Sequence, residues 1–246
     1  SNYLSVFSIK SDASRGGYEE DITAPGMSTM YEMIMDLPLF KGVGKDQVSL
    51  FLEKTNVGFS NYNDGDTVIA LGEEATMVKF VISGSVKIIH SLASCPIMIE
   101  EYCDPGRVLG ADRLFGMTTG YPFWVKAVGK TSIMEFSKEQ YVNLLHSDRI
   151  YMLNFFNYLS LRAQRPIEAI CDYGDGGIRS RLSLLIGIMT SPGSNKIYIK
   201  ASDEALSRYC STDEGTLARW KRDMEDSGVV ECTPLGIRIL SRAEFL

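Results

Sequence analysis

Two stretches of this 246-residue sequence carry side chains whose types and spacing could do chemistry. The first, LGADRLFGMTTGYPFWVKA at 109–127, reads as a glycine-punctuated loop built to hold a charged phosphate. Its two cations are badly placed for holding one. Arg113 lies at one end, and Lys126 sits in a strand-like run that would carry it along the sheet. The second, ASDEALSRYCSTDEGTLARWKRDMEDSG at 201–228, interleaves Thr212, Thr216, Arg219, Lys221 and Arg222 with Asp203, Glu204, Asp213 and Glu214. Hydroxyls and guanidinium groups on one short helix are the groups that meet phosphate oxygens and base edges.

Other chemistries find little support. The five cysteines, Cys95, Cys103, Cys171, Cys210 and Cys232, form no C-x-x-C pair, which argues against a zinc site or a disulfide framework and leaves them as ordinary buried thiols. A redox pair of Cys95 with Cys103 across two strands is the minor alternative. His90 closes a strand-like run and His146 ends a helix-like one, so packing or exposure explains both, and no metal or cofactor is expected. There are no paired carboxylates in a polar setting, no nucleophile beside a histidine motif and no Walker or dinucleotide glycine signature, so no enzyme is expected. The net charge of −6 gives no global attraction to nucleic acid, and any such binding must come from a local patch. No apolar run reaches the roughly 18 residues of a membrane helix and no signal-like start is present, which points to a cytoplasmic protein.

The elements that must position these residues follow from pattern. An irregular leader, 1–26, precedes two short helices, STMYEMIMDLPLF with Ser28 or Thr29 as N-cap, and KDQVSLFLEKT. From Val57 to Phe136 short strand-like runs (DTVIA, MVKFVISGSVKIIH, PIMIEEY, RVLG, WVKAV, TSIMEF) alternate with turns, which predicts a sandwich or barrel. A long helical run, DRIYMLNFFNYLSLRAQRPIEAICDY, spaces Leu153, Phe156, Leu159, Ala163 and Ile167 three or four residues apart along one stripe. That stripe would cover the protein's own barrel or pair with the same helix of a second chain, and the homodimer is favoured. Pro166 should kink or break the run. Glycines at 174–177 mark a linker, so the expected units are an effector-binding barrel over 27–147, a dimerisation helix over 148–173 and a C-terminal unit over 174–246.

In that last unit Ser202 caps a helix with Leu206, Tyr209 and Cys210 inward, and a second helix turns Leu217, Trp220 and Met224 inward. Ser211 with Glu214 matches a capping box. Two short helices followed by VVEC-TPLG-IRIL outline a winged helix-turn-helix, whose second helix enters the major groove. The fold class expected is therefore α+β.

The halves together resemble the cyclic-AMP receptor protein and fumarate-nitrate regulator family of bacterial transcription factors. LPLFKGV, DGDTVIALGEEATMVKFVISGSVKI, WVKA and IMEFS are similar in order and spacing to its effector domain, and T-L-A-R at 216–219 followed by MEDSGVV is similar to its recognition helix and wing. The resemblance implies a jelly-roll effector domain, a homodimer, double-stranded DNA as partner and RNA polymerase as a further one. It places a phosphate-binding cassette from Gly110, with Ala111 and Tyr121 where the family has a glutamate for the ribose and an arginine for the phosphate. The helix positions that meet the base fall near Pro166 and Ile167. A tyrosine cannot replace a guanidinium on a phosphate, so the resemblance implies an effector other than cyclic AMP. The pocket expected from Gly110, Ala111, Tyr121, Phe123, Trp124 and the helix stripe suits a small apolar or aromatic ligand, unless the aromatics simply fill it. An iron-sulfur sensor is disfavoured because the leader has no cysteine.

The recognition helix also departs from the family pattern, with Glu214 and Gly215 where an Arg-Glu pair is usual. Arg219 keeps the place that reaches a guanine edge and Thr216 that of a phosphate contact. Glu214 could accept from a cytosine amino group, and Arg179 and Arg181 add positive charge after the linker. The expectation is a sequence-specific DNA-binding regulator with an unidentified effector. The alternative is a ligand-binding or protein-interaction module of the same fold that has lost DNA contact.

Overall fold

The computed structural model describes residues 25–173 and 176–246, with side chains from residue 30 onward. The leader expected over 1–26 lies almost wholly outside the described residues. Helix α1 (Pro25–Met35) begins with proline, whose missing N–H costs nothing in a first turn, so Ser28 and Thr29 lie inside the helix rather than at its cap. Leu37, Leu39, Phe40 and Val43 follow, all buried, and α2 (Lys45–Lys54) adds Val48 and Phe51. Phe40 is the hub: its ring meets those of Phe51, Phe80, Phe136 and Tyr151 edge-on at centroid distances of 5.0 to 6.5 Å.

The strands are β1 (Gly58–Tyr62), β2 (Thr67–Ile69), β3 (Met77–Ser91), β4 (Met98–Cys103) and β5 (Phe123–Ser137). WVKAV and TSIMEF fuse into the single strand β5, and RVLG makes only an isolated bridge, Val108 to Phe80. Helix α3 (Lys138–Ser147) starts at a true capping box, Ser137 with Gln140, and leads into α4 (Arg149–Tyr173). This helix passes through Pro166 without a break. Its buried face is Tyr151, Phe155 and Ala169, while Leu153, Phe156, Ala163, Ile167 and Ile170 are exposed. Leu159, expected on the outer stripe, packs instead against the core.

After glycines at 176 and 177 come α5 (Ile178–Met189), β6 (Ile197–Lys200), α6 (Asp203–Cys210), α7 (Glu214–Asp226), β7 (Val230–Thr233), β8 (Gly236–Ile239) and α8 (Arg242–Phe245). The eight strands form one antiparallel sheet in the order β1-β5-β3-β4-β6-β8-β7, with β2 on β5. That path has two ends and does not close, where the repeated short strands suggested a barrel.

The join between β4 and β6 ties the halves together. Ile99 stands opposite Ile199, and Glu101 opposite Ile197. Ile97 and Ile99 belong to the second core, with Leu182, Ile186, Leu206, Leu217 and Phe245, so that core takes residues from well before the expected boundary at 174. On the far side of β6 the approach is so close that a Cβ on Gly236 would lie 1.9 Å from the Ile199 carbonyl, which explains the glycine at that position.

Candidate functional site: cassette and recognition helix

The cassette begins where Gly110 takes a left-handed turn, φ 61°, into a single 3-10 turn at Ala111–Arg113. A Cβ on Gly110 would sit 2.6 Å from the Tyr121 ring, so the residue type is fixed both by conformation and by packing. Ala111, Tyr121 and Phe123 are all buried, and the Tyr121 and Phe123 rings lie 5.7 Å apart. The Tyr121 hydroxyl is buried without a hydrogen-bond partner among the described residues. Burial, then the charges of Glu73 and Asp112, pushes its pKa up to about 12. His90 packs edge-on against Phe123, and burial lowers its pKa.

Trp124 departs from the expected lining. Side chains alternate faces along a strand, so Phe123, Val125 and Ala127 turn inward while Trp124 and Lys126 turn to the other face. The cavity touching Gly110 and Phe123 measures about 50 Å³, room for about one or two water molecules. Asp112, next to Ala111, faces α4: it accepts from the Tyr158 hydroxyl at 3.2 Å and pairs with Arg162 at 3.1 Å.

In the C-terminal unit Ser202 caps α6 by accepting from the Ala205 N–H at 3.1 Å. Ser211 does not cap α7; it closes α6 in a left-handed conformation, φ 53°. Asp213 is the cap, accepting from the Thr216 N–H at 2.8 Å and from its hydroxyl at 2.7 Å, which holds the Asp213 carboxyl below the usual carboxylate range. Leu217 is buried and Trp220 stands edge-on to Phe245. Glu214, Gly215, Ala218, Arg219 and Arg222 are exposed, with Arg219 3.3 Å from the Thr216 hydroxyl.

Three of the expected DNA-facing cations are held internally. Arg179 donates to the carbonyls of Phe245 and Glu244, Arg181 to that of Tyr209, and Lys221 pairs with Asp203 at 2.7 Å. The last pair, with Arg208 on Glu204 at 2.8 Å, places a cation beside each acid that opens α6. Thr212 is half-buried in the turn, its N–H on the Ser207 carbonyl.

Cys103 and Cys210 are buried thiols with raised pKa values, about 12 and about 11, but Cys171 is exposed rather than buried. All five cysteines are free. Among the described residues no group of three His, Cys, Asp or Glu side chains is placed to hold a metal, and no helix is long and apolar enough to cross a membrane.

Residues 59–148, which hold all five N-terminal strands except the first residue of β1, match the family model of the cyclic nucleotide-binding domain. The cAMP-activated global transcriptional regulator CRP of Haemophilus influenzae is 22% identical over 181 residues, 72% of this chain and 81% of its own length. The regulator of the same name from Salmonella typhimurium is 20% identical over 195 residues, 76% of this chain and 93% of its own. The chain thus carries a cyclic nucleotide-binding domain and is similar over most of its length to regulators of the cyclic-AMP receptor protein type. A likeness of fold extends to the c-di-GMP responsive global regulator CLP of Xanthomonas campestris, with a TM-score of 0.50 at 18% identity over 80% of this chain and 99% of that one. The present chain has buried aromatic rings beside Gly110 in its cassette and an acidic start to both helices of the C-terminal pair.

Sequence reasoning missed the surface between the halves. The buried acids Glu100 and Glu101 on β4 both reach into the C-terminal unit, Glu100 to Lys200 at 2.7 Å and Glu101 to the Ser191 N–H at 2.8 Å, the Ser194 hydroxyl and, on its own side, Arg107 at 3.4 Å. The signal was present: two adjacent acids in the apolar run PIMIEEY must find partners if that strand is covered on both faces.

Proposed function

We propose that the chain is a homodimeric, sequence-specific DNA-binding transcription regulator whose effector is not cyclic AMP. The observation that carries this reading is α7. Its inner face is held by Leu217 and Trp220, its first turn is fixed by Asp213, and it leaves Arg219 and Arg222 without acidic partners among the described residues. With α6 before it and the β7–β8 hairpin after it, we read the unit as a winged helix-turn-helix with α7 as the groove helix. Pairing of each α6 acid with its own cation removes much of the repulsion those acids would exert on phosphates.

The outer face of α4 supports the dimer. Leu153, Phe156, Ser160, Ala163, Ile167 and Ile170 are all exposed and fall at alternating spacings of three and four, the pattern of a two-helix seam. A seam of that kind sets two groove helices for half-sites about one DNA turn apart. Cyclic AMP is disfavoured because Ala111 and Tyr121, both buried, stand at the ribose and phosphate places, and the cavity touching Gly110 and Phe123 holds only about 50 Å³.

The experiment is selection of bound duplexes from a random pool by the purified protein, repeated as salt rises. A palindrome of two half-sites whose recovery fades steeply with salt is the expected result. Arg219→Ala should cost about 1–3 kcal/mol at one base pair of the selected site and leave the others unchanged. No enrichment, with or without small-molecule cell extract, would favour the second reading, a sensor module without DNA contact. The internal bonds of Arg179, Arg181 and Lys221 speak for that reading.

A further inference from the structure

Between the two halves lies a cleft of about 570 Å³, walled by residues 104–108, by α4 around Tyr158 to Arg165, and by the loop at 191–196. Its size is that of a small-molecule site. Its charge runs against that of the molecule, which carries a net −6: Arg107, Arg162, Arg165 and Lys196 line it, with Asp104 the one acid among the lining residues.

Two of the three arginines already have partners at the cleft wall. Arg107 donates to the Ser194 hydroxyl at 2.6 Å and lies 3.4 Å from Glu101, and Arg162 pairs with Asp112. Arg165, half-buried, makes no hydrogen bond and no ion pair among the described residues. Its guanidinium is held below the ordinary arginine value first by burial and then by the charges of Arg162 and Arg107. A half-buried guanidinium pushed by two like charges, with five donors unused, is a state that an anion would relieve.

We propose that this cleft binds a small oxyanionic molecule, bearing phosphate or carboxylate groups, which Arg107, Arg162 and Arg165 hold against the 191–196 loop. The cleft adjoins the cassette: Arg107, Arg162 and Arg165 also line the small cavity that touches Gly110 and Phe123. Because its walls come from both halves, an occupant stabilises the arrangement in which β6 is joined to β4, and so fixes where α6 and α7 stand relative to the dimer helix. Binding as such stands on the cleft alone, while control of DNA affinity by the occupant rests on the reading proposed above.

The test is isothermal titration of the full chain, without DNA, against inorganic pyrophosphate and against citrate. One saturable site per chain is expected for at least one of them, pyrophosphate alone marking a phosphate ligand and citrate alone a carboxylate ligand. Arg165→Ala should weaken binding by about tenfold or more, and Arg165→Lys should recover part of it, since a lysine keeps the charge without the planar fork. Lys196→Ala, at an exposed position, provides a second variant whose folding is not in question. No saturable binding of either anion, or binding that both alanine variants leave unchanged, would overturn the site. A repeat in the presence of the selected duplex separates the two claims: anion binding with no change in DNA affinity sinks the control and keeps the site.

Discussion

Two places where a ligand could sit, the cassette beside Gly110 and the cleft beside Arg107, begin within a few residues of each other and share Arg107, Arg162 and Arg165, yet differ in size and in the rings that close one of them. At the cassette the Tyr121 and Phe123 rings are buried, and the cavity touching Gly110 and Phe123, which also reaches Arg107, Arg162 and Arg165, holds about 50 Å³; the cleft is cationic and about tenfold larger at about 570 Å³. In the cassette the buried Tyr121 hydroxyl has no hydrogen-bond partner among the described residues. In the cleft the charged tips outnumber their partners. The difference teaches that a shared fold does not fix where recognition happens: one side chain as large as Tyr121 turns a ligand space into core, and the chemistry that remains lies where two units meet.

The sharpest way to break this contrast is to reopen the cassette. Tyr121→Ala removes a fully buried ring that touches Gly110 and Phe123, and should destabilise the chain by about 3–5 kcal/mol in denaturant unfolding. If the Tyr121 ring acts only as core, oxyanion affinity at the cleft, measured well below the melting temperature, should be unchanged. A parallel loss of that affinity would show that the cassette and the cleft are one site.

A smaller perturbation comes from the cleft side. Glu101 holds the Ser191 N–H and the Ser194 hydroxyl and competes for Arg107. Glu101→Gln keeps the shape and removes the charge, so it should cost about 1.5–3 kcal/mol of stability, the range for hydrogen bonds to a charged group. The same change frees Arg107 from its acid and should raise oxyanion affinity. Stability falling while affinity rises is an outcome that a merely structural role for this cluster would not produce.

The legibility of the sequence divides along the same line. Local signals are readable where one element decides them: the inward faces of α6 and α7, the Ser202 cap, and the buried alternation of β5 all follow from residues a few positions apart. Errors arise where two choices are locally equal. Ser211 and Asp213 are both good caps, and the left-handed conformation at Ser211 settles the matter. Leu159 fits the outer stripe by spacing, yet the rotation of α4 about Tyr151 and Phe155 takes it inward. The cleft is illegible because Arg107 lies far in sequence from Arg162 and Arg165 on α4, and because Ile99 and Ile199 alternate like any covered strand without announcing that they face each other.

The smallest effect expected is also the most discriminating about the cassette. A hydroxyl buried without a partner contributes nothing favourable, so Tyr121→Phe should be close to neutral at pH 7, where an ordinary buried tyrosine would lose a hydrogen bond. The two chains should part only in alkali. Tyr121 ionises near the ordinary value of 10.0 when unfolded and at about 12 when folded. Between those values the unfolded state has released the proton and the folded state has kept it, so the unfolded state binds fewer protons and stability falls as pH rises. Tyr121→Phe removes that contribution. Unfolding measured from pH 7 to pH 12 should therefore show the wild-type chain losing more stability than the variant above pH 10, with other tyrosines cancelling in the difference. Equal losses would mean that the Tyr121 hydroxyl reaches water, and that the cassette is open after all.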